Sequence, residues 1–181
     1  DPILSGLVAS VVAEGVAESG VTVCLKHFAG NDQEYYRRGV INDTTEQNGT
    51  SRDAINVIAT ERTLREIYLK PFEMAVKTGK VMNVMSAFNK INGQYCASNE
   101  GLLTDILRGE WGFQGFVVTD WGDYDVLAHE GHALAAGNDL NMPGGHNRYW
   151  ITNKYRESLA DGSLTLDQMR RSAYRLLNSI Q

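Results

Sequence analysis

Apolar residues recur at helical spacing over 3–19, at Leu4, Leu7, Val8, Val11, Val12 and Val16, and Gly20 follows as a stop. The pattern then shortens to a β-rich run over 21–28. Residues 30–53 are polar and rich in Asn, Asp, Thr and Gly, which predicts a long loop; loops of that length in compact domains are usually functional. Helical periodicity resumes over 54–78, with Leu64, Ile67, Tyr68, Phe72 and Ala75 on one face. Pro71 should break or kink that helix, because it lacks an amide donor and crowds the preceding turn. A second strand is expected over 81–88, a turn at Ile91-Asn92-Gly93, a helix over 100–110 and a third strand over 115–120. A helix over 125–136 should end at Gly137, and a short fourth strand over 139–142 should be closed by Pro143-Gly144-Gly145. Thr165 and Gln168 form a capping-box pattern that opens the last helix, with Met169, Ala173, Leu176 and Leu177 expected inward.

Strands that alternate with helices imply an α/β fold of parallel βαβ units, with functional residues at the carboxyl ends of the strands. Those ends are Lys26-His27, 85–89, Asp120-Trp121 and Asn141-Met142. They combine hydrogen-bonding groups, aromatic faces and a carboxylate, which is what a sugar site requires. About four strands are visible, whereas a closed (β/α)8 barrel needs about eight and typically ~250 residues. The expectation is therefore one segment, 1–181, of a partial TIM-like (β/α)8 barrel, half to two-thirds of the whole and beginning at a helix.

Composition narrows the classes. The 181 residues are 43% hydrophobic and 22% charged, ordinary for a globular domain. A net charge of −5 without a Lys/Arg cluster argues against a nucleic-acid partner, and no apolar run is long enough to span a bilayer. Cys24 and Cys96 are expected to be free thiols, since two cysteines make neither a disulfide framework nor a zinc site. No signal peptide is visible; the Asp-Pro start reads as a processed or excerpted chain and is uninformative about secretion. Asn42-Asp43-Thr44 and Asn48-Gly49-Thr50 are glycosylation acceptor patterns, relevant if the host glycosylates secreted proteins.

Asp120 is the strongest chemical candidate, because an apolar strand ending in Thr-Asp-Trp delivers a carboxylate to a barrel rim beside an aromatic ring. The competing reading is a helix cap or a structural ion pair, and spacing alone divides the two evenly. Lys26 and His27 are adjacent on a strand, so they should face opposite ways unless the strand ends there; the plainer reading is a buried His and a solvated Lys. Arg37 is either a donor fork to hydroxyls or a carboxylate, or a solvated loop charge. His129 and His132, with Glu130 between them, do not meet the zinc-protease pattern and read as exposed helix polar residues.

Taken in order, six segments resemble signatures of family 3 glycoside hydrolases. They are Lys26-His27-Phe28-x-x-Asn31-x-Gln33-Glu34, Arg62-x-x-Arg65-Glu66-Ile67-Tyr68-Leu69-x-Pro71-Phe72-Glu73 and Met85-Ser86-Ala87-Phe88-Asn89-x-x-Asn92-Gly93. Leu103-x-x-Ile106-Leu107-Arg108-x-Glu110-Trp111-Gly112-Phe113-x-Gly115, Val117-Val118-Thr119-Asp120-Trp121-Gly122 and Gly137-x-Asp139-Leu140-x-Met142-Pro143-Gly144 complete them. The opening Asp1-Pro2-x-Leu4-Ser5-Gly6 and the segment Gly162-Ser163-Leu164-Thr165 also fit.

The resemblance implies a retaining β-glycosidase in which Asp120 occupies the nucleophile position, Lys26, His27 and Arg37 hold sugar hydroxyls, and Met85 and Trp121 line that subsite. Phe88 departs from the Tyr usual in the family; a phenol there could hydrogen-bond the nucleophile and a phenyl ring cannot. Thr119 likewise replaces the usual Ser. The family's general acid/base belongs to a following α/β-sandwich domain, and its early barrel strands supply further sugar-binding groups. Neither part is expected in this segment, where Glu34, Glu110 and Asp123 are poor substitutes for the acid, so the chain alone is expected to be inactive. The function implied is hydrolysis of terminal β-glucosyl residues of a β-glucoside or oligosaccharide, with β-xylosidase and a non-catalytic sugar-binding or scaffold fragment as alternatives. No metal or organic cofactor is implied, nor a nucleic-acid or membrane partner; the rest of the polypeptide or a partner chain would complete the barrel. A secreted or periplasmic location fits better than a cytoplasmic one.

Overall fold

In the computed structural model, residues 1–39, 53–121, 130–143 and 148–180 are described. In chain order the elements are helix α1 (Pro2–Glu18), strands β1 (Cys24–Phe28) and β2 (Asn56–Val57), and helices α2 (Glu61–Thr63) and α3 (Lys70–Val76), joined by a π-helical turn (Leu64–Tyr68). Strands β3 (Asn83–Ser86), β4 (Lys90–Ile91) and β5 (Gln94–Tyr95) follow, then a 3-10 turn (Cys96–Ser98), a π-helix (Gly101–Glu110) and strand β6 (Phe116–Val118). Helices α4 (Glu130–Ala136), α5 (Arg148–Asp161) and α6 (Leu166–Asn178) end the chain.

The apolar runs at 21–28, 81–88 and 115–120 become a parallel sheet in the order β1-β3-β6. The strands are shorter than their apolar runs, and the β1–β3 register shifts between Leu25 and Phe28. The expected fourth strand is reduced to a single parallel bridge, Val118 to Leu140. Parallel strands carried between helices reproduce the βαβ logic of a barrel wall. Helices cover the sheet through a core of Phe28, Leu69, Val84, Leu103, Leu107 and Val117. Phe28 meets Phe72 and Trp111 edge-on at 5.0 and 5.9 Å. Each such side chain contributes roughly 1.5–3 kcal/mol of burial.

The helix expected over 54–78 begins only at Glu61, where the Thr60 hydroxyl accepts from the Thr63 amide as a cap. Asn56 and Val57 instead pair with Lys90 and Ile91, because the 90–95 segment forms a hairpin that offers them an edge. Asn92 and Gly93, with φ of 49° and 90°, make the two-residue turn of that hairpin. Pro71 lies in the first turn of α3, where its missing amide would be unpaired in any case, and the chain is underwound to a π turn just before it, closed by Leu69 N–H to the Leu64 carbonyl at 2.8 Å.

Helix α6 carries the expected capping box, but its rotation differs from the apolar reading. Ser172 is buried, whereas Ala173 is exposed and Leu177 is 64% exposed. The physical reason is Arg175, whose guanidinium reaches the fully buried Asp139 carboxylate at 3.0 Å and turns the polar side of the helix inward. Arg108 meets the same carboxylate at 2.6 Å, and the Val117 amide donates to it at 2.9 Å. This network ties the π-helix, β6 and α6 together. Helix α1 packs its small face, Gly6 and Ala13, toward α3 and leaves Leu4, Leu7, Val8, Val11 and Val12 exposed. A groove of about 660 Å³ beside β1 is lined by Leu4, Val8, Val12, Val23 and Leu25.

Cys24 and Cys96 are not joined in a disulfide. No described helix is long and apolar enough to cross a membrane. Both glycosylation patterns, His129, Asp123 and the start of the helix expected from residue 125 lie outside the described residues.

Candidate active site

Asp120 follows β6, beyond the last paired residue, and stands at the carboxyl end of the sheet with only 9% of its surface exposed. Its height is set from below. Thr119 donates its amide to the Leu140 carbonyl at 3.0 Å and accepts from the Met142 amide through Oγ1 at 2.9 Å. Beneath the rim, Asn138 donates to Ser86 Oγ and the Ala97 carbonyl, at 3.0 and 2.9 Å, joining the ends of the strands.

Two basic side chains meet the Asp120 carboxylate on one oxygen. His27 Nε2 lies 3.3 Å and Arg37 Nη1 3.5 Å from Oδ2. His27 comes from the end of β1, where the register shift changes the alternation that would otherwise separate Lys26 from His27. Both line one cavity of about 310 Å³ with Asn31, Asp32 and Tyr68. Asn31 Nδ2 sits 3.4 Å from His27 Nδ1, while Nε2 faces the Asp120 carboxylate. Burial pushes the His27 imidazole below its ordinary value; Asp120 and Glu34 oppose that, while Lys26 and Arg37 add to it. Facing a carboxylate, Nε2 is the ring nitrogen that donates.

Arg37 is held on three sides. Its Nε pairs with Glu34 at 2.9 Å, its guanidinium lies 5.0 Å from the Phe88 ring centroid, and Nη1 reaches Asp120. Phe88 is buried and packs with Ala54 and Tyr95, while Asp53 accepts from Lys90 and Tyr95, so the small β2-β4-β5 sheet anchors the ring on which Arg37 rests. The phenyl ring at 88 thus serves the carboxylate indirectly, as the floor beneath its cation.

Met85 is partly buried on β3 opposite Val118, and Trp121, half exposed, follows Asp120 directly. Among the described residues the basic side chains in ion-pair contact with Asp120 are those of His27 and Arg37; Lys26 is exposed and shares the cavity with His27. Glu110 lies elsewhere, in a bidentate pair with Arg65 at 2.6 and 2.8 Å that holds its carboxyl below the usual range. His132 is exposed, and among the described residues no cluster of His, Cys, Asp and Glu is arranged to hold a metal. Sequence reasoning placed Asn31 in a family motif without a role of its own and did not single out Asn138. Asn31's spacing of four from His27 was visible as a signal, whereas nothing in the pattern links Asn138 to Ser86.

The family model described as glycosyl hydrolase family 3 N terminal domain matches residues 1–179. The chain belongs to glycosyl hydrolase family 3. It is 41% identical to a protein named thermostable β-glucosidase B from Acetivibrio thermocellus, covering 99% of this chain and 21% of that protein. It is 39% identical to β-glucosidase B of Emericella nidulans, covering 98% and 19%. Among solved structures, β-glucosidase 3B from Thermotoga neapolitana in complex with glycerol superposes with a TM-score of 0.82 at 40% identity, over 98% of this chain and 23% of that one. A β-glucosidase from Kluyveromyces marxianus in complex with glucose gives 0.82 at 32% identity, over 98% and 19%. The chain therefore spans about a fifth of the length of these family 3 relatives, and its parallel strands and helices are a partial TIM-like barrel of the family.

Proposed function

We propose that this chain forms the nucleophile-bearing part of a retaining β-glucosidase. The observation that carries the reading is the Asp120 carboxylate at a strand's carboxyl end, with both basic partners on Oδ2. That leaves Oδ1 to attack the anomeric carbon. The bond from C1 to the carboxylate forms as the bond from C1 to the aglycone oxygen breaks, and the departing oxygen takes a proton from a general acid. Water then attacks C1, its proton returns to the same group as base, and Asp120 is released. His27, donating through Nε2, and Arg37 hold the carboxylate and the hydroxyls of the bound sugar, with Lys26 as the outer donor on the cavity side. Met85, Phe88 and Trp121 shape the subsite. The displacement is complete without a metal or organic cofactor.

The acid/base lies outside the described residues on this reading. A retaining mechanism needs its two carboxyls about 5–5.5 Å apart. Glu34 is committed to Arg37 and Glu110 to Arg65, whose charge makes Glu110 a worse proton donor. The remaining barrel strands would pack on β1 and on the apolar groove beside α1, supplied by further polypeptide or by a partner chain. The complete enzyme tests the reading: a 2-deoxy-2-fluoro-β-glucoside should label the peptide that contains Asp120. Labelling on another peptide would falsify the assignment. Faster turnover of β-xylosides than of β-glucosides would move the substrate to a pentoside, and a complete protein that binds glucose without turnover would make it a sugar-binding module.

A further inference from the structure

The separation of Asp120 from His27 is set across two strand junctions, and both meet at Ser86. On the His27 side, the β1–β3 pairing ends with Phe28 opposite Ser86. There the Ala87 amide donates to the Phe28 carbonyl at 2.7 Å, and Asn89 Nδ2 donates to the Ala29 carbonyl at 3.1 Å. On the Asp120 side, the β3–β6 ladder stops at Met85 and Val118, two residues short of the carboxylate. Beyond that point the end of β6 is braced by the segment 138–142. The Asp139 amide donates to the Val117 carbonyl at 2.8 Å, the Thr119 amide to the Leu140 carbonyl at 3.0 Å, and the Met142 amide to Thr119 Oγ1 at 2.9 Å. Asn138 ties this brace back to β3, because its Nδ2 donates to Ser86 Oγ at 3.0 Å and to the Ala97 carbonyl at 2.9 Å. Ser86 Oγ in turn lies 3.5 Å from the Val118 carbonyl. Ser86, Ala97 and Asn138 are all fully buried within this chain, so these contacts do not depend on what covers its surface.

We propose that Ser86 and Asn138 are positioning residues for the glycosyl-transfer step: together they clamp the end of β6 against β3 and fix Asp120 relative to His27. The inference rests on Asp120 being the nucleophile. Replacing both partners of a buried hydrogen bond by apolar groups of the same shape is nearly neutral for folding. What the amide and hydroxyl add is direction, since a hydrogen bond weakens steeply off its line whereas an apolar contact tolerates sliding. A slide of β6 would carry Oδ1 off its approach to the anomeric carbon, and a misplacement of about 1 Å costs on the order of 100-fold in rate. Lys26 and Arg37 are carried by other segments and stay to hold the sugar, so the loss falls on the rate of attack rather than on binding.

The test uses the complete enzyme and a dinitrophenyl 2-deoxy-2-fluoro-β-glucoside, whose inactivation kinetics report the attack of the nucleophile alone. The maximal inactivation rate constant does not depend on how much of a sample is folded, and the burst of released phenol counts the competent sites. Ser86→Ala and Asn138→Ala should each lower that rate constant about tenfold or more, with the inactivator's Ki within about threefold of wild type. The two together should be no slower than the slower single variant, because either one opens the same clamp. Ser86→Ala combined with Asn138→Leu leaves no amide donor stranded, so it folds where a single variant does not, and it should be as slow. An unchanged rate constant with fewer competent sites overturns the clamp, because the pair then only stabilises the fold. So does an unchanged rate constant with a raised Ki, or losses that multiply when the two alanine variants are combined. Label on a wild-type peptide without Asp120 overturns the reading of Asp120 and the clamp with it; label on Asp120 with unchanged rate constants overturns the clamp alone.

Discussion

Asp139→Asn isolates what holds the site's strand in place. The Asp139 side chain is fully buried and serves three donors: Arg108 Nη2 at 2.6 Å and the Val117 amide at 2.9 Å on Oδ2, and Arg175 Nη1 at 3.0 Å on Oδ1. Arg108 is nearly as deep, and burial pushes its guanidinium down to about 10, with the Arg175 charge acting in the same direction and Asp139 opposing. Asparagine keeps the shape but removes the charge and turns an NH2 toward one of the guanidiniums. Two charge-assisted hydrogen bonds are weakened, at about 1.5–3 kcal/mol each, while the partly exposed Arg175 regains some hydration. The net cost should be about 3–5 kcal/mol, the range for breaking a buried pair from one side. At roughly 2–4 °C per kcal/mol, the melting temperature should fall by roughly 6–20 °C. Thermal and urea unfolding of the complete protein, followed by circular dichroism on the barrel transition, measures this. Because Val117 N–H is one of the three donors, kcat/KM should fall below the melting point as β6 loosens under Asp120. Adding Arg108→Met removes the stranded charge and should recover part of the stability. A loss under about 1 kcal/mol, or a double variant no better than the single one, would refute the reasoning.

Further outcomes can be stated briefly. Gly115→Ala should cost about 3 kcal/mol, because its Cβ would stand 2.2 Å from the Met82 carbonyl oxygen, which already accepts from Phe116 N–H across β3 and β6; wild-type stability in urea would contradict the close approach. Arg37→Gln should lower kcat/KM by roughly 10–100-fold, from the loss of a charge-assisted contact worth about 1.5–3 kcal/mol; a change under about threefold would show that Arg37 does not act on the carboxylate. The His27 imidazole should titrate below 6.5 by NMR. Its folded value lies below its unfolded value, so the unfolded chain binds the proton first; stability is full above about 6.5 and falls as pH drops toward the folded value. A midpoint at or above 6.5 would mean that the charge of Asp120 outweighs burial.

The apolar runs at 21–28, 81–88 and 115–120 specified parallel strands because their neighbours had helical periodicity, and a barrel wall is the arrangement that buries both kinds of face. The capping box of Thr165 and Gln168 and the Asn92-Gly93 turn were legible because each depends on a few adjacent residues. Helix α5 escaped notice, since its sequence is largely polar and offers little apolar stripe to read. Residues 54–57 read as helix and became extended, because a strand edge distant in sequence, at Lys90 and Ile91, outweighs local propensity.

The site divides the same way. Sequence by itself determined which groups are present at the strand ends, and with them the acid, imidazole and guanidinium of Asp120, His27 and Arg37. Only the tertiary structure decided that His27 and Arg37 share one oxygen of Asp120, that Asn31 meets the other ring nitrogen of His27, and that Phe88 supports Arg37 from below. These are contacts between residues far apart in the chain, and their distances depend on a register shift in β1 and on the seating of β6 by Asp139. Periodicity reports which face a residue occupies; it carries no information about how far one strand has slid along the next.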